Sequence, residues 1–413
     1  MKTTRWFAFL AAAFLVSESS IASELLIRGA KVYTLTSPNP MERTDVLVRN
    51  RMIVAVGKNL TAAAGAPIMD AANHPLTPGL WGGLSEVGVI EIPREGDTAD
   101  ASQGADSPPW HQQWRPEFDV TLAYNPRSSV VPITRIEGVT WTVLDPSSGD
   151  SIVGGQGAAV TLDGTYDAVL RGSRSLFVQL GGGIRKISNG SRAGQYMLLD
   201  QAIREARASG TSAEGALLHP AGREALLRYL DGGRVVFAVE RAADILQLIA
   251  FVQRAGIKPV IAGGSEAWVV AKELARADIP VILDPLQNLP SGFDQLASRL
   301  DNAARLHQAG VRIAFSGGYP RGIRQPAGNA VAAGLPWNVA LASITSTPAE
   351  IFGLGADRGR IAPGQIADLV LWDGDPLEVT TIAKQVWIAG QPVTMRSRQT
   401  VLRDRYLPRA NPN

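Results

Sequence analysis

The chain has 413 residues, 45% of them hydrophobic, with a formal net charge of +2 and no cysteine. That length exceeds the ~250–300 residues at which one hydrophobic core stops growing, so more than one domain is expected. The absence of cysteine excludes disulfides and thiol catalysis, and a near-neutral chain without basic runs excludes nucleic acid and an anionic membrane surface as partners.

Lys2 and Arg5 precede an uncharged apolar run, Trp6–Val16, which leads to a small-x-small signal at Ser20-Ile21-Ala22. That order predicts a cleavable signal peptide over residues 1–22. The run is shorter than the ~20 residues that span a bilayer. The processed protein is therefore expected to be periplasmic or secreted and off the membrane.

Leu25–Thr34 and Asp45–Gly57 are short β-branched runs broken by glycine and by an Asn-Arg turn, a hairpin signature. Ala367–Trp372 and Val386–Val393 repeat it near the other end. Residues 23–75 and 358–413 are expected to meet in one composite β-sandwich domain; the alternative is two unrelated edge hairpins.

Residues 76–357 alternate apolar strands with amphipathic helices. Strands are predicted at Val235–Val239, Lys258–Ala262, Pro280–Leu283 and Val311–Phe315, with helices at Ala243–Arg254, Ser265–Ala277 and Gly292–Ala309. Such alternation argues for a parallel sheet under helices, and its length suits an α/β fold of the (β/α)8 TIM-barrel type, typically ~250 residues. A doubly wound open sheet is the runner-up, but no Gly-x-Gly-x-x-Gly turn follows an early strand.

Three motifs carry a family resemblance. Pro78-Gly79-Leu80 leads into a strand, Ile344–Gly353 has the cast of a closing helix, and Gly359–Trp372 couples a glycine-rich turn to an Ala-Asp-Leu-Val strand. Together they resemble the amidohydrolase superfamily, in its imidazolonepropionase-like and dipeptidase-like branch. The resemblance implies one or two divalent metals at the C-terminal rim of the barrel, where a metal-bound water attacks an amide or ester carbon.

It also implies ligand positions that this chain fills differently. The His-x-His pair falls on Leu84 and Glu86, further histidines on Ala238 or Glu240 and on Gly263, and the catalytic aspartate on Gly318. The four histidines, His74, His111, His219 and His307, lie elsewhere. His111 alone falls in a long rim loop, Arg94–Asp119, between Trp110 and Trp114. Catalytic candidates are thus Glu86, Glu240 and His111, with Glu86 and Glu240 the candidate metal ligands. Pocket candidates are Trp81, Leu84, Arg241, Gly263, Glu266, Ser316 and Gly318; Arg241 is placed to pair with a nearby acid. The alternative is a pocket filled by Trp81, Trp141, Trp268 and Tyr319.

Three functions stay open. One is an exported family member without a competent metal centre and without a cofactor, which binds a small-molecule ligand or serves as partner to a ligand-complete paralogue or a second copy of itself. Another is a hydrolase of amide or dipeptide-like C–N bonds with one divalent cation in an atypical, oxygen-rich site. The last is metal-independent hydrolysis by an acid pair such as Glu86 with Glu240.

Overall fold

The computed structural model describes residues 24–102, 114–147, 151–188, 190–208 and 215–407. The expected signal peptide and His111 lie outside these residues. β1 (Glu24–Val32), β2 (Met41–Arg49), β3 (Met52–Gly57), β4 (Ile68–Asp70) and β5 (Pro75–Pro78) open the described chain. β2 and β3 form a hairpin about Asn50-Arg51, whose φ angles of 50° and 73° are those a tight two-residue turn between twisted strands requires.

β6 (Leu80–Ser85), α1 (Val130–Arg135), β7 (Val139–Leu144), β8 (Val153–Gly157) and β9 (Ala159–Thr161) follow. The regular alternation comes next: β10 (Ser175–Gln179), α2 (Arg192–Arg207), α3 (Pro220–Leu230), β11 (Arg234–Val239), α4 (Ala242–Ala255), β12 (Lys258–Gly263), α5 (Ala271–Arg276), β13 (Val281–Leu283), α6 (Asn302–Gln308) and β14 (Ile313–Phe315). Helices α7 (Arg324–Ala332), α8 (Trp337–Ala342) and α9 (Ser346–Ile351) then lead to β15 (Leu369–Trp372), β16 (Ala383–Ile388), β17 (Gln391–Pro392) and α10 (Arg398–Tyr406). No helix among the described residues is long and apolar enough to cross a membrane.

Strands from both chain ends share one eight-stranded sheet, ordered β17-β16-β15-β5-β1-β2-β3, with β4 paired to β1. The junction is β5, parallel to β1 and antiparallel to β15. This is one hydrogen-bonded path, whereas a sandwich implies two facing sheets. β15 reads Leu-Val-Leu-Trp because both its faces are covered: Leu369 and Leu371 pack with Ile27, Val46 and Trp387 within the sheet's own core, while Val370 and Trp372 turn toward the α/β body. Successive side chains point to opposite faces, so a strand buried on both sides is apolar at every position.

The middle of the chain forms two further sheets. β10 to β14 are parallel in sequence order with β8 antiparallel at the edge, and β6 and β7 are parallel with β9 antiparallel. One set of alternate side chains from both sheets meets in a single buried cluster: Trp81, Trp141, Ala159, Phe177, Val236, Val260, Ile282 and Ala314. The opposite set, including Phe237, Ile261, Leu283 and Phe315, packs under the helices. Backbone pairing does not link the two sheets into a ring among the described residues; β14 meets β6 through Ser316, whose Oγ accepts from the Leu84 amide at 2.9 Å.

Two predicted helices come out differently. Ser265–Ala277 divides into a 3-10 turn at Ala267–Val270 and the shorter α5. Of Gly292–Ala309 only α6 is helical, and Leu289, Phe293 and Leu296 before it are exposed. The Asp294 carboxylate accounts for the latter: it docks on Arg192 and accepts from the Gly182 amide, tethering its segment to the turn after β10 and away from helical geometry.

Candidate functional site

The residue just past several strands of the body carries an acid or a hydroxyl: Glu86 after β6, Asp145 after β7, Glu240 after β11, Asp284 after β13 and Ser316 after β14. A cavity of about 530 Å³ lies at the ends of β6 and β7, lined in part by Leu84, Glu86, Asp145, Gly318, Tyr319 and Arg321. A neighbouring cavity of about 220 Å³ shares Leu84 and Asp145 and adds Gln179, Ala238 and Ala262. Asp145 stands between the two.

Local bonding explains how the acids are held. Thr142 Oγ1 donates to the Gly83 carbonyl and lies 2.8 Å from Ser85 Oγ, which locks β6 to β7 beneath the cavity. The Asp145 amide donates to the Ser85 carbonyl at 3.1 Å, placing the Asp145 side chain beside Glu86. Neither the Asp145 nor the Glu86 carboxyl accepts a hydrogen bond from a described residue. Burial pushes the Asp145 carboxyl up to about 7, and the charge of Glu86 adds to the rise. Glu86 keeps much of its surface exposed, yet partial burial of its carboxyl in the cavity wall raises its pKa as well. Two carboxyls in one enclosure with raised pKa values are a marker of functional chemistry.

Glu240 is occupied otherwise. Its Oε2 accepts from the Ser265 amide at 2.9 Å and from Ser265 Oγ at 2.6 Å. A Cβ built on Gly263, where φ is +91°, would lie 2.4 Å from Glu240 Oε1. The carboxylate thus sits in the volume that any side chain at 263 would need. Glu266 is also engaged: it accepts from the Ala242 and Ala297 amides, each at 3.0 Å, and is buried. Arg241 pairs with Asp244 at 2.7 Å, not with Glu240, and Asp244 also receives Arg192 at 2.8 Å.

The other expected residues fall in three places. Leu84 and Gly318 line the larger cavity, and a Cβ on Gly318 would meet open space, though its φ is +61°. Ser316 is a stitch between β14 and β6. Trp81 is fully buried in the interior, 6.0 Å from Trp141 and 5.9 Å from Phe352 by ring centroid, and lines neither cavity. Trp81 and Trp141 fill the interior instead of the cavity, Trp268 lines neither cavity and its Nε1 donates to the Ala297 carbonyl, and Tyr319 lines the larger cavity with much of its surface exposed. Glu86 with Glu240 was the expected acid pair; the neighbour of Glu86 is Asp145. The signal for it was present in Trp141-Thr-Val-Leu-Asp145, an apolar strand ending in an acid.

Donor chemistry decides whether an imidazole-held ion fits here. Leu84 offers no lone pair, Gly263 and Gly318 have no side chain, and Glu240 is committed to Ser265. A zinc site wants three or four N, O or S donors. These positions do not supply them.

The amidohydrolase family model matches residues 138–395. An amidohydrolase from Thermotoga maritima superposes with a TM-score of 0.79 at 24% identity, over 90% of this chain and 100% of that one. A prolidase crystallised with N-methylphosphonate-L-proline superposes at 0.55 and 17% identity, over 90% and 100%. An adenosine deaminase from Xanthomonas campestris, crystallised with bound zinc, does so at 0.54 and 17%, over 92% and 96%. Among curated proteins, the amidohydrolase tasK of Hapsidospora irregularis is 51% identical over 57 residues, which are 14% of this chain and only 6% of that protein's length.

Proposed function

Because the chain belongs to the amidohydrolase family, we propose that it is an exported member with the family's barrel, which binds a small molecule over the strand ends without an imidazole-held metal. It would act as a ligand-binding subunit, alone or beside a metal-bearing paralogue. The observation that carries this reading is the Glu240 carboxylate, bonded to Ser265 and lodged where a ligand side chain at 263 would stand. The larger cavity, at the ends of β6 and β7, combines apolar and polar walls in a volume of the kind that small-molecule sites use.

A second reading has its own support. One carboxyl of raised pKa beside another is the arrangement by which acid and base roles are divided. Glu86 as carboxylate would take a proton from water while Asp145 as acid gives one to the leaving nitrogen of a C–N bond.

Metal analysis of the full-length product recovered from the periplasmic fraction tests the first reading, together with turnover of an amide and dipeptide panel with and without chelator. The expected result is a chain starting near Ser23, well below one equivalent of divalent metal, and no chelator-sensitive turnover. About one equivalent of zinc surviving dialysis, lost on Glu240→Gln, would overturn it. Turnover that resists chelator and disappears in Asp145→Asn would move the assignment to the second reading. Intact Met1 on the recovered protein would refute export.

A further inference from the structure

We propose that the larger cavity selects a protonated organic amine, its ammonium held between the Glu86 and Asp145 carboxyls and its carbon skeleton against Leu84, Val87, Ile90 and Ile133. This rests on the ligand-binding reading above and names the ligand class.

Asp145 is half-buried at the junction of the two cavities, Glu86 is exposed along the wall of the larger one, and no described residue donates to either carboxyl. Two carboxyls side by side on a cavity wall, held by no described donor, present their acceptor oxygens to whatever enters the cavity. Among the described residues nothing nearby fills the role of donor. Arg321, the cation on the cavity rim, donates to Gln399 Oε1 at 3.0 Å and lies over the Tyr319 ring. The other acid of the wall, Glu91, is saturated by the Ser128 and Ser129 hydroxyls and the Ser129 amide, which hold its carboxyl below the usual range.

What remains is a pair of carboxyls without a described donor, beside the apolar residues Leu84, Val87, Ile90 and Ile133 of the cavity wall. An ammonium brings three donors and a positive charge. Charge-assisted bonds to carboxylates are about twice as strong as neutral ones. A bare or hydrated metal ion would satisfy the acids but leave the walls of Leu84, Val87, Ile90 and Ile133 against water. An anion would face both carboxyls. At about 530 Å³ the cavity exceeds the needs of an ion and matches a small organic molecule.

Three probes of one skeleton separate these cases: phenethylammonium, 2-phenylethanol and 3-phenylpropionate, each titrated calorimetrically into the full chain, with calcium and zinc chloride alongside. The expected result is saturable binding of phenethylammonium alone, weakened about tenfold or more by Glu86→Gln and by Asp145→Asn. Circular dichroism checks the fold of both variants, and Ile133→Trp, which fills the cavity without touching charge, should block binding independently. Binding of the alcohol or the carboxylate that Ile133→Trp abolishes would overturn the amine assignment and leave ligand binding standing. Uptake of a divalent ion that depends on Glu86 and Asp145 would overturn both. Amine binding unchanged in the charge-removing variants, or no binding by any probe, would overturn the amine assignment.

Discussion

Asp145 follows directly on the last residue of β7, so strand geometry carries its carboxyl to the cavity while the surrounding protein removes part of its hydration. Its pKa of about 7 in the folded protein stands above the ordinary 3.8. Between those values the folded state binds more protons than the unfolded chain, and stability therefore falls as pH rises, the loss being complete above about 7. Asp145→Asn removes the titration while keeping the shape. We expect the variant to unfold with a flatter pH dependence over that window and to exceed the parent at about pH 8 by on the order of 2 kcal/mol. Chemical denaturation at a series of pH values checks this; parallel curves for the two proteins would show that Asp145 is ionised in the folded state throughout. Gly263 makes the complementary point. Its positive φ and the Glu240 carboxylate at 2.4 Å from a would-be Cβ mean that placing histidine there strains the backbone and forces the Glu240 carboxylate to move.

At the scale of elements, the join of β14 to β6 matters most to the site, because it sets Leu84 and Gly318 on one wall. Ser316 Oγ accepts from the Leu84 amide at 2.9 Å and stands 3.4 Å from its carbonyl oxygen, while Gly83 lets the two chains approach: a Cβ there would lie 2.8 Å from Ser316 Oγ. Ser316→Ala leaves the Leu84 amide without that partner, which costs about 1–3 kcal/mol. Hydrogen exchange should show faster exchange at Leu84, with β10 to β12 unaffected. Unchanged protection at Leu84 would mean that the stitch does not hold the wall. The segment before α6 shows the opposite balance. Its helical pattern was legible, but Asp294 gains more by meeting Arg192 and Gly182 than the segment gains by coiling.

For the whole molecule, Trp372 is the bolt between the sheet of the two chain ends and the α/β body. It is fully buried, its Nε1 donates to Thr77 Oγ1 at 2.9 Å, the Arg324 guanidinium lies 4.9 Å from its ring centre, and Gly138 is close enough that a Cβ would reach the ring at 2.6 Å. Trp372→Ala removes a large aromatic from that joint and should cost about 3–5 kcal/mol. Because the ring contacts both parts, the loss should appear in a single unfolding transition. An early transition confined to the sheet, with the main one unmoved, would show that the joint is not shared.

Period-2 apolar runs, the alternation of strand and helix and the Ala-Asp-Leu-Val return were enough to read the strand-rich ends, the α/β middle and the family, because each is a local pattern that burial imposes on consecutive residues. Leu84, Gly263 and Gly318 could be read as lacking donors for the same reason: a side chain's chemistry is written in its own letter. Which acids meet was decided only by tertiary structure. Glu86 and Asp145 are separated by a long connection in the chain and come together because β6 and β7 pair in parallel register; Glu240 and Arg241, adjacent in sequence to the expected site, turn to Ser265 and Asp244 instead. Proximity between distant carboxyls depends on strand register and packing, and neither leaves a mark on the residues themselves.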